Sequence, residues 1–392
     1  MSQVPESTVA ELRARGSVKW TDHRDALGAF VAEMDFGTAP AVTDALIAAV
    51  TNYQYGYLPS HLKHEFRRAF VSFALRRYGW ELRQSQVRQI PDVLFGVESV
   101  VRLLLPPGAV IILPTPAYMP FLKIFDDLGC KVVQVPMLRE KSGRYINDLA
   151  GIEQAFATAP GIAWLLLVNP HNPTGRVLSR FELSDIASIV GKYGGRVLAD
   201  EIHAPLVYAG HQHIPYATIS PITAAHTVTL VSASKAWNLA GLKAAQLILT
   251  NDDDLALWRK RGVWAEHLVA TLGVVASNAA YEQGEGWLTD MLEYLAGNRK
   301  YVAEFLAAEL PKTKFYAPEG TYLAWLDMNN FVAAMGKLSP ADYLLKNAKV
   351  ALTDGHECGA AGTGFVRLNF ATPKPILETI LHQIANALKI SS

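Results

Sequence analysis

The sequence predicts an α/β protein: a mainly parallel sheet covered by helices, followed by a smaller α+β unit. Three observations carry this. Between about residues 90 and 270, short β-rich apolar runs alternate with longer helical patterns. The runs are continuously apolar rather than alternating, as in strands buried on both faces. Past about residue 280 the pattern gives way to long helical stretches around two β-rich segments.

In chain order the apolar runs are 109–113, 131–135, 163–168, 195–199, 227–231 and 245–249. A helix is expected over roughly 252–283 and would join the two units. The smaller unit carries β-rich segments at 321–327 and 365–370. The predicted organisation is an N-terminal segment, 1–45, packing with the small domain, a large domain, 46–280, and a small C-terminal domain, 281–392. No segment repeats at a fixed period and none is of low complexity.

At 392 residues the chain can bury a large core without metals or disulfides. Lys plus Arg equals Asp plus Glu at 36 each, so no net field attracts nucleic acid or an anionic membrane. A small-molecule substrate is expected instead. Cys130 and Cys358 sit in no CxxC or Cys/His spacing, which argues against a metal site and suits a reducing compartment. The N-terminal MSQVPESTVAELRARG lacks an apolar core of the secretory kind, and no apolar run approaches the roughly 20 residues of a membrane span. The expected location is cytoplasmic. The pair His211 and His213 has no third ligand in range and reads as a surface loop.

In parallel sheets ligands gather at the carboxyl ends of strands. Those positions here are polar and specific. They read Pro114-Thr115-Pro116-Ala117-Tyr118, then Asn169-Pro170-His171-Asn172-Pro173-Thr174-Gly175, then Asp200-Glu201-Ile202-His203, then Ser232-Ala233-Ser234-Lys235. The four strand ends are expected to converge.

These motifs resemble those of fold-type I pyridoxal 5′-phosphate (PLP) enzymes, the class I/II aminotransferase superfamily, across nearly the whole chain. Trp20, Ala32-Glu33-Met34-Asp35-Phe36, Tyr55-Gly56-Tyr57, Asp200-Glu201-Ile202-His203 and Ser234-Lys235-Ala236-Trp237-Asn238 resemble the cystathionine β-lyase group of MalY/PatB type. The resemblance implies the PLP-dependent transferase-like fold, with a seven-stranded, mainly parallel sheet in the large domain.

It also implies roles. Lys235 would carry PLP as a Schiff base and move the substrate's Cα proton, which needs an amine of lowered pKa. Asp200 would pair with the pyridine nitrogen and keep it protonated. Asn172 would bond the cofactor's 3′-oxygen, and Tyr118 would stack on the ring and take part in catalysis. His203 would either contact the 3′-oxygen region or support Asp200. Ser232, Ser234 and Lys243 would hold the phosphate, Lys243 standing where aminotransferases commonly carry arginine and so losing the bidentate fork. Gly96 and Val97 would add backbone amides there, with Glu98 pointing away. Arg367 would clamp the substrate's α-carboxylate, with Asn172 and Tyr118 also meeting the substrate. Tyr57 would reach the neighbouring subunit's phosphate and share in catalysis, so a homodimer with shared sites is implied.

The implied reaction is β-elimination from L-cystathionine or a cysteine S-conjugate, giving thiol, pyruvate and ammonia. Such chemistry serves methionine biosynthesis, sulfur-conjugate breakdown and odorant release alike. An aminotransferase would use the same residues and is the alternative enzyme. A reading of another class is a regulatory protein-binding partner; the intact set of Lys235, Asp200, Asn172 and Arg367 argues against a catalytically dead scaffold, while a partner-binding surface beside the active site stays open.

Overall fold

Seven segments pair into one sheet, and their order fixes where a ligand can sit. They are β1 (Val87–Ile90), β2 (Val110–Thr115), β3 (Lys131–Pro136), β4 (Ala163–Val168), β5 (Arg196–Asp200), β6 (Thr227–Val231) and β7 (Ala245–Leu249). The order across the sheet is β1-β7-β6-β5-β4-β2-β3. All pairs from β3 to β6 are parallel, and β7 runs antiparallel to both β6 and β1. The sheet is therefore mainly parallel, as the unbroken apolar runs require. The computed structural model describes residues 6–389; residues 1–5 and 390–392, the outer ends of the predicted N-terminal segment and small domain, lie outside the described residues.

Every residue of β2, β4, β6 and β7 is buried. Each fully buried Val, Leu or Ile contributes about 1.5–3 kcal/mol, so these strands anchor the fold. The strand missing from the sequence expectation, β1, carries Arg88 and Gln89 among four residues at the sheet edge, and so has no apolar run to find. From β2 the chain passes to β3 on one side, and from β4 to β5 on the other. A crevice opens at the carboxyl ends where such connections diverge.

The helix Val93–Leu104 follows β1 directly. Asp92 caps it, its Oδ1 accepting from the Phe95 amide at 2.8 Å, and Val93, Gly96, Val97, Val100 and Val101 form its buried face. The single helix expected over 252–283 is instead three, Asp252–Arg261, Val263–His267 and Thr271–Gln283. The first break falls at Gly262, where only glycine fits, since a Cβ there would stand 2.4 Å from the Trp258 ring. The long helix of this region is Glu285–Glu309.

A second, antiparallel sheet pairs Lys314–Phe315, Leu323–Asp327, Phe365–Asn369 and Thr353–Asp354 in that order. Its Arg367 lies between Trp325 and Thr353 in register. The N-terminal segment joins it: Leu27–Gly28 pair in parallel with Val350–Ala351, and the Asn369 amide donates to Ala29 O at 2.8 Å. No described helix is long and apolar enough to cross a membrane. Both cysteines are buried and unpaired.

Candidate active site

A cavity of about 520 Å³ lies at the carboxyl ends of the large sheet, within the range of small-molecule sites. Lys235 lines it, three residues past Ser232 where β6 has ended. The turn that presents Lys235 is pinned by its neighbours. Trp237 is fully buried, edge-on to Phe73 and Tyr281, and its Nε1 donates to Gly284 O at 3.0 Å. Asn238, in the left-handed region at φ 60°, donates through Nδ2 to Met34 O and Phe36 O and accepts through Oδ1 from Met34 N.

That same segment, 30–36, supplies the acceptor for the lysine: Lys235 Nζ donates to Ala32 O at 2.8 Å. Asp35 holds the segment from its far end, accepting from buried Lys19 Nζ at 2.8 Å and Trp20 Nε1 at 2.6 Å. The Trp20 and Ala32–Phe36 motifs thus form the floor on which the lysine rests. Burial and the Arg367 charge push the Lys235 amine down to about 8, against opposing pulls from Glu33 and Asp200.

Asp200 ends β5, paired in register with Val168 of β4 and Leu230 of β6. Its Oδ1 accepts from Ile202 N at 3.1 Å, leaving Oδ2 without a protein donor among the described residues. Burial raises its carboxyl to about 7, with Glu201 adding to this and the Ile202 hydrogen bond and Lys235 opposing it. Arg367 comes from the second sheet. Its Nη1 donates to Asn172 Oδ1 at 3.1 Å, and its Nη2 to Phe30 O at 2.9 Å and Thr353 Oγ1 at 3.0 Å. Its Nε, although buried, has no partner.

The remaining predicted residues fall into two groups. Tyr118, Asn172, His203, Ser232, Ser234 and Lys243 line the cavity with Lys235, Asp200 and Arg367. Burial raises the Tyr118 hydroxyl and lowers the His203 imidazole to about 3, so that ring is neutral. His203 Nδ1 has no partner. Ser232 Oγ donates to Ala244 O at 2.9 Å and accepts from Ser234 N at 3.0 Å. Lys243 Nζ meets Asp92 Oδ2 at 2.9 Å.

Gly96, Val97 and Tyr57 do not line the cavity. Gly96 and Val97 lie inside the helix Val93–Leu104, and the Gly96 amide already donates to Asp92 O at 3.0 Å. The cavity instead touches Pro91, Asp92, Val93 and Leu94, so the amides of Val93 and Leu94 at the helix start replace those two as phosphate candidates. Gly96 has a packing reason to be glycine: a Cβ there would meet Ile90 Cδ1 at 2.5 Å and Leu230 Cδ2 at 2.6 Å. Glu98 pairs with exposed Arg102 at 2.8 Å, away from the site. Tyr57 is 97 % exposed. The histidine-pair expectation needs correction too, since His213 is buried with Nε2 3.1 Å from Glu201 Oε2, directly beside Asp200.

Sequence reasoning passed over Phe30, Val31, Leu352, Thr353, Asp354 and Glu357, which form the wall opposite the large sheet. They sit on short or irregular segments without periodicity. The signal for Val93 and Leu94 was present, because an aspartate before an apolar helical stripe marks a helix start.

A half-buried lysine just past a strand end of such a sheet, sharing one cavity with a guanidinium from a second sheet, is an arrangement that suits an aminotransferase-type fold. The chain belongs to the family described as aminotransferase class I and II, whose pattern matches residues 31–384. It is 38 % identical over 385 residues to the cystathionine beta-lyase of Corynebacterium glutamicum, covering 96 % of this chain and 98 % of the other. It is 32 % identical over 382 residues to the cystathionine beta-lyase PatB of Bacillus subtilis, covering 95 % and 96 %. The solved structure of the PLP-bound C-S lyase from Staphylococcus hominis superposes with a TM-score of 0.88 at 32 % identity, covering 96 % of each chain.

Proposed function

We propose that this chain is a PLP-dependent carbon–sulfur β-lyase, cleaving cysteine S-conjugates such as L-cystathionine to a thiol, pyruvate and ammonia. The observation that carries it is the desolvated Lys235 sharing one cavity with Asp200 and Arg367, in a chain similar over nearly its whole length to a cystathionine beta-lyase.

The residues present fit the cofactor. Buried groups left without partners, Arg367 Nε and His203 Nδ1, belong to residues that line the cavity, and buried orphans of this kind call for a ligand. When bound, PLP supplies the electron sink for charge developing at the substrate's Cα. Lys235 would hold it covalently and, once freed by the substrate amine, move the Cα proton; an amine near 8 is matched to that work. Asp200 would face the pyridine nitrogen, where a buried carboxylate holds a proton on the ring. Tyr118 would cover the ring, Asn172 would donate to its 3′-oxygen, and His203 would stand beside them as a neutral imidazole. Ser232, Ser234, Lys243 and the Val93 and Leu94 amides would hold the phosphate. Arg367, anchored by three hydrogen bonds, would take the substrate carboxylate.

The reading includes a homodimer in which Tyr57 serves the neighbouring subunit's phosphate; its near-total exposure on an isolated chain supports this. It divides the chain into 1–45, 46–280 and 281–392, supported by the pairing of Leu27–Gly28 with Val350–Ala351. It places the protein in the cytoplasm, in keeping with two unpaired thiols.

The test is incubation of the purified holoprotein with L-cystathionine and no keto acid, following thiol and pyruvate together. The expected result is equal amounts of both, abolished in Lys235→Ala. Neither product, with amino transfer once a keto acid is added, would make it an aminotransferase.

A further inference from the structure

The phosphate end of the cavity already contains an anion of the chain's own. Asp92 Oδ1 accepts from the Phe95 amide at 2.8 Å, and Asp92 Oδ2 accepts from Lys243 Nζ at 2.9 Å. Both side chains line the cavity together with Ser232 and Ser234. The two partners that Asp92 engages, a helix start and an ammonium, are those a phosphate dianion would use.

A lysine offers one compact charge and three donors, and cannot grip two anions with a planar fork as arginine can. Each share of Lys243 given to Asp92 is withheld from the phosphate, and the carboxylate charge also repels the dianion. The pair is only partly buried, with side chains 57 % and 37 % exposed, so the competition is modest and reversible.

We propose that Asp92 sets cofactor affinity: it competes with the phosphate of PLP for Lys243 and for the start of the helix Val93–Leu104, and so weakens the hold on the cofactor. This rests on the reading of the site as a PLP site. Asp92 acts before any chemistry, so its readout is binding rather than turnover.

The test titrates the full-length, cofactor-stripped protein with PLP, following the absorbance of the lysine-bound cofactor, for wild type, Asp92→Asn, Lys243→Ala and the double variant. Asn keeps the helix cap while removing the charge, and Asp92→Ser is a second capping replacement should Asn disturb folding. Both Asp92 variants should lower the PLP Kd about fivefold, and inorganic phosphate should slow cofactor capture at about fivefold lower concentration. Lys243→Ala should weaken PLP more in the Asp92→Asn background than in wild type, since the lysine is then free to serve the phosphate. An unchanged or raised Kd in both Asp92 variants, or strictly additive effects, overturns the proposal. Wild type that captures no PLP on Lys235 would instead overturn the reading of the site itself.

Discussion

Lys235 and Tyr322 converge on one carbonyl: Nζ of the lysine donates to Ala32 O at 2.8 Å and the tyrosine hydroxyl donates to it at 2.9 Å. The acceptor belongs to the segment that Asn238, Asn369 and Asp35 hold from three sides. The lysine is thus positioned by the N-terminal segment as much as by its own strand.

Removing the tyrosine hydroxyl leaves Ala32 O to the lysine alone, making it a better acceptor for the ammonium. Tyr322→Phe should therefore raise the Lys235 pKa and slow covalent capture of PLP near pH 7, by about two- to fivefold for a hydrogen bond of ordinary strength. Stopped-flow absorbance on cofactor-stripped protein measures this. An unchanged rate would mean that the shared carbonyl has no bearing on the amine.

The pH course of capture in the wild type follows from the same lysine. Burial, then Arg367, lowers it to about 8, and only the neutral amine attacks the cofactor's aldehyde. The capture rate should rise about tenfold per pH unit below 8 and level off above it, where an ordinary lysine would still be rising toward 10. Arg367→Leu, which removes the repulsion by the guanidinium without restoring solvent, should shift the midpoint upward.

Much of the candidate site was legible because a parallel sheet leaves polar residues at its strand ends, each after an unbroken apolar run. Asp200, Asn172 and Lys235 sit where 195–199, 163–168 and 227–231 stop. The fold followed for the same reason, whereas the edge strand Val87–Ile90, carrying Arg88 and Gln89, left no apolar mark. The partners of Ala32 lie about 200 and 290 residues away along the chain. Long-range contacts of this kind leave no local pattern. Gly96 misled because glycine before a helix suits a phosphate turn as well as close packing on Ile90 and Leu230.

Acid should destabilise the cofactor-stripped protein in a definite window. Burial lowers His203 and His171 to about 3 and His226 to about 4, so their contribution is complete above pH 6.5 and is lost as pH falls through those values. Asp200 has the opposite sign: raised to about 7, its contribution is complete below 3.8 and is lost as pH rises through 7. Near pH 5 these three histidines oppose one aspartate, so these four groups alone leave the unfolded chain holding about two more protons, and stability should drop on acidification by a few kcal/mol per pH unit. The lowered carboxyls of Glu182, Glu319 and Asp327 add to this as the pH falls further. Urea midpoints between pH 7 and 4 test this; a flat profile would contradict neutral burial of the three rings.

Arg367 offers the sharpest separation of binding from chemistry. Its guanidinium is fixed by Asn172, Phe30 O and Thr353, and its unpartnered Nε leaves donor capacity for a carboxylate. Lysine at this position keeps the charge but cannot satisfy those three anchors and a bidentate carboxylate together. Arg367→Lys should lower kcat/KM for L-cystathionine about 100-fold, mostly through KM, as expected when charge-assisted hydrogen bonds worth about 2–3 kcal/mol are lost. Capture of PLP should persist in the variant. A substrate analogue lacking the α-carboxylate, an S-conjugate of cysteamine, should react with wild type and variant at similar low rates, because neither enzyme has a carboxylate to hold. If instead Arg367→Lys slows the analogue as much as the amino acid, the arginine acts on the architecture of the site through Asn172, and carboxylate binding must be assigned elsewhere.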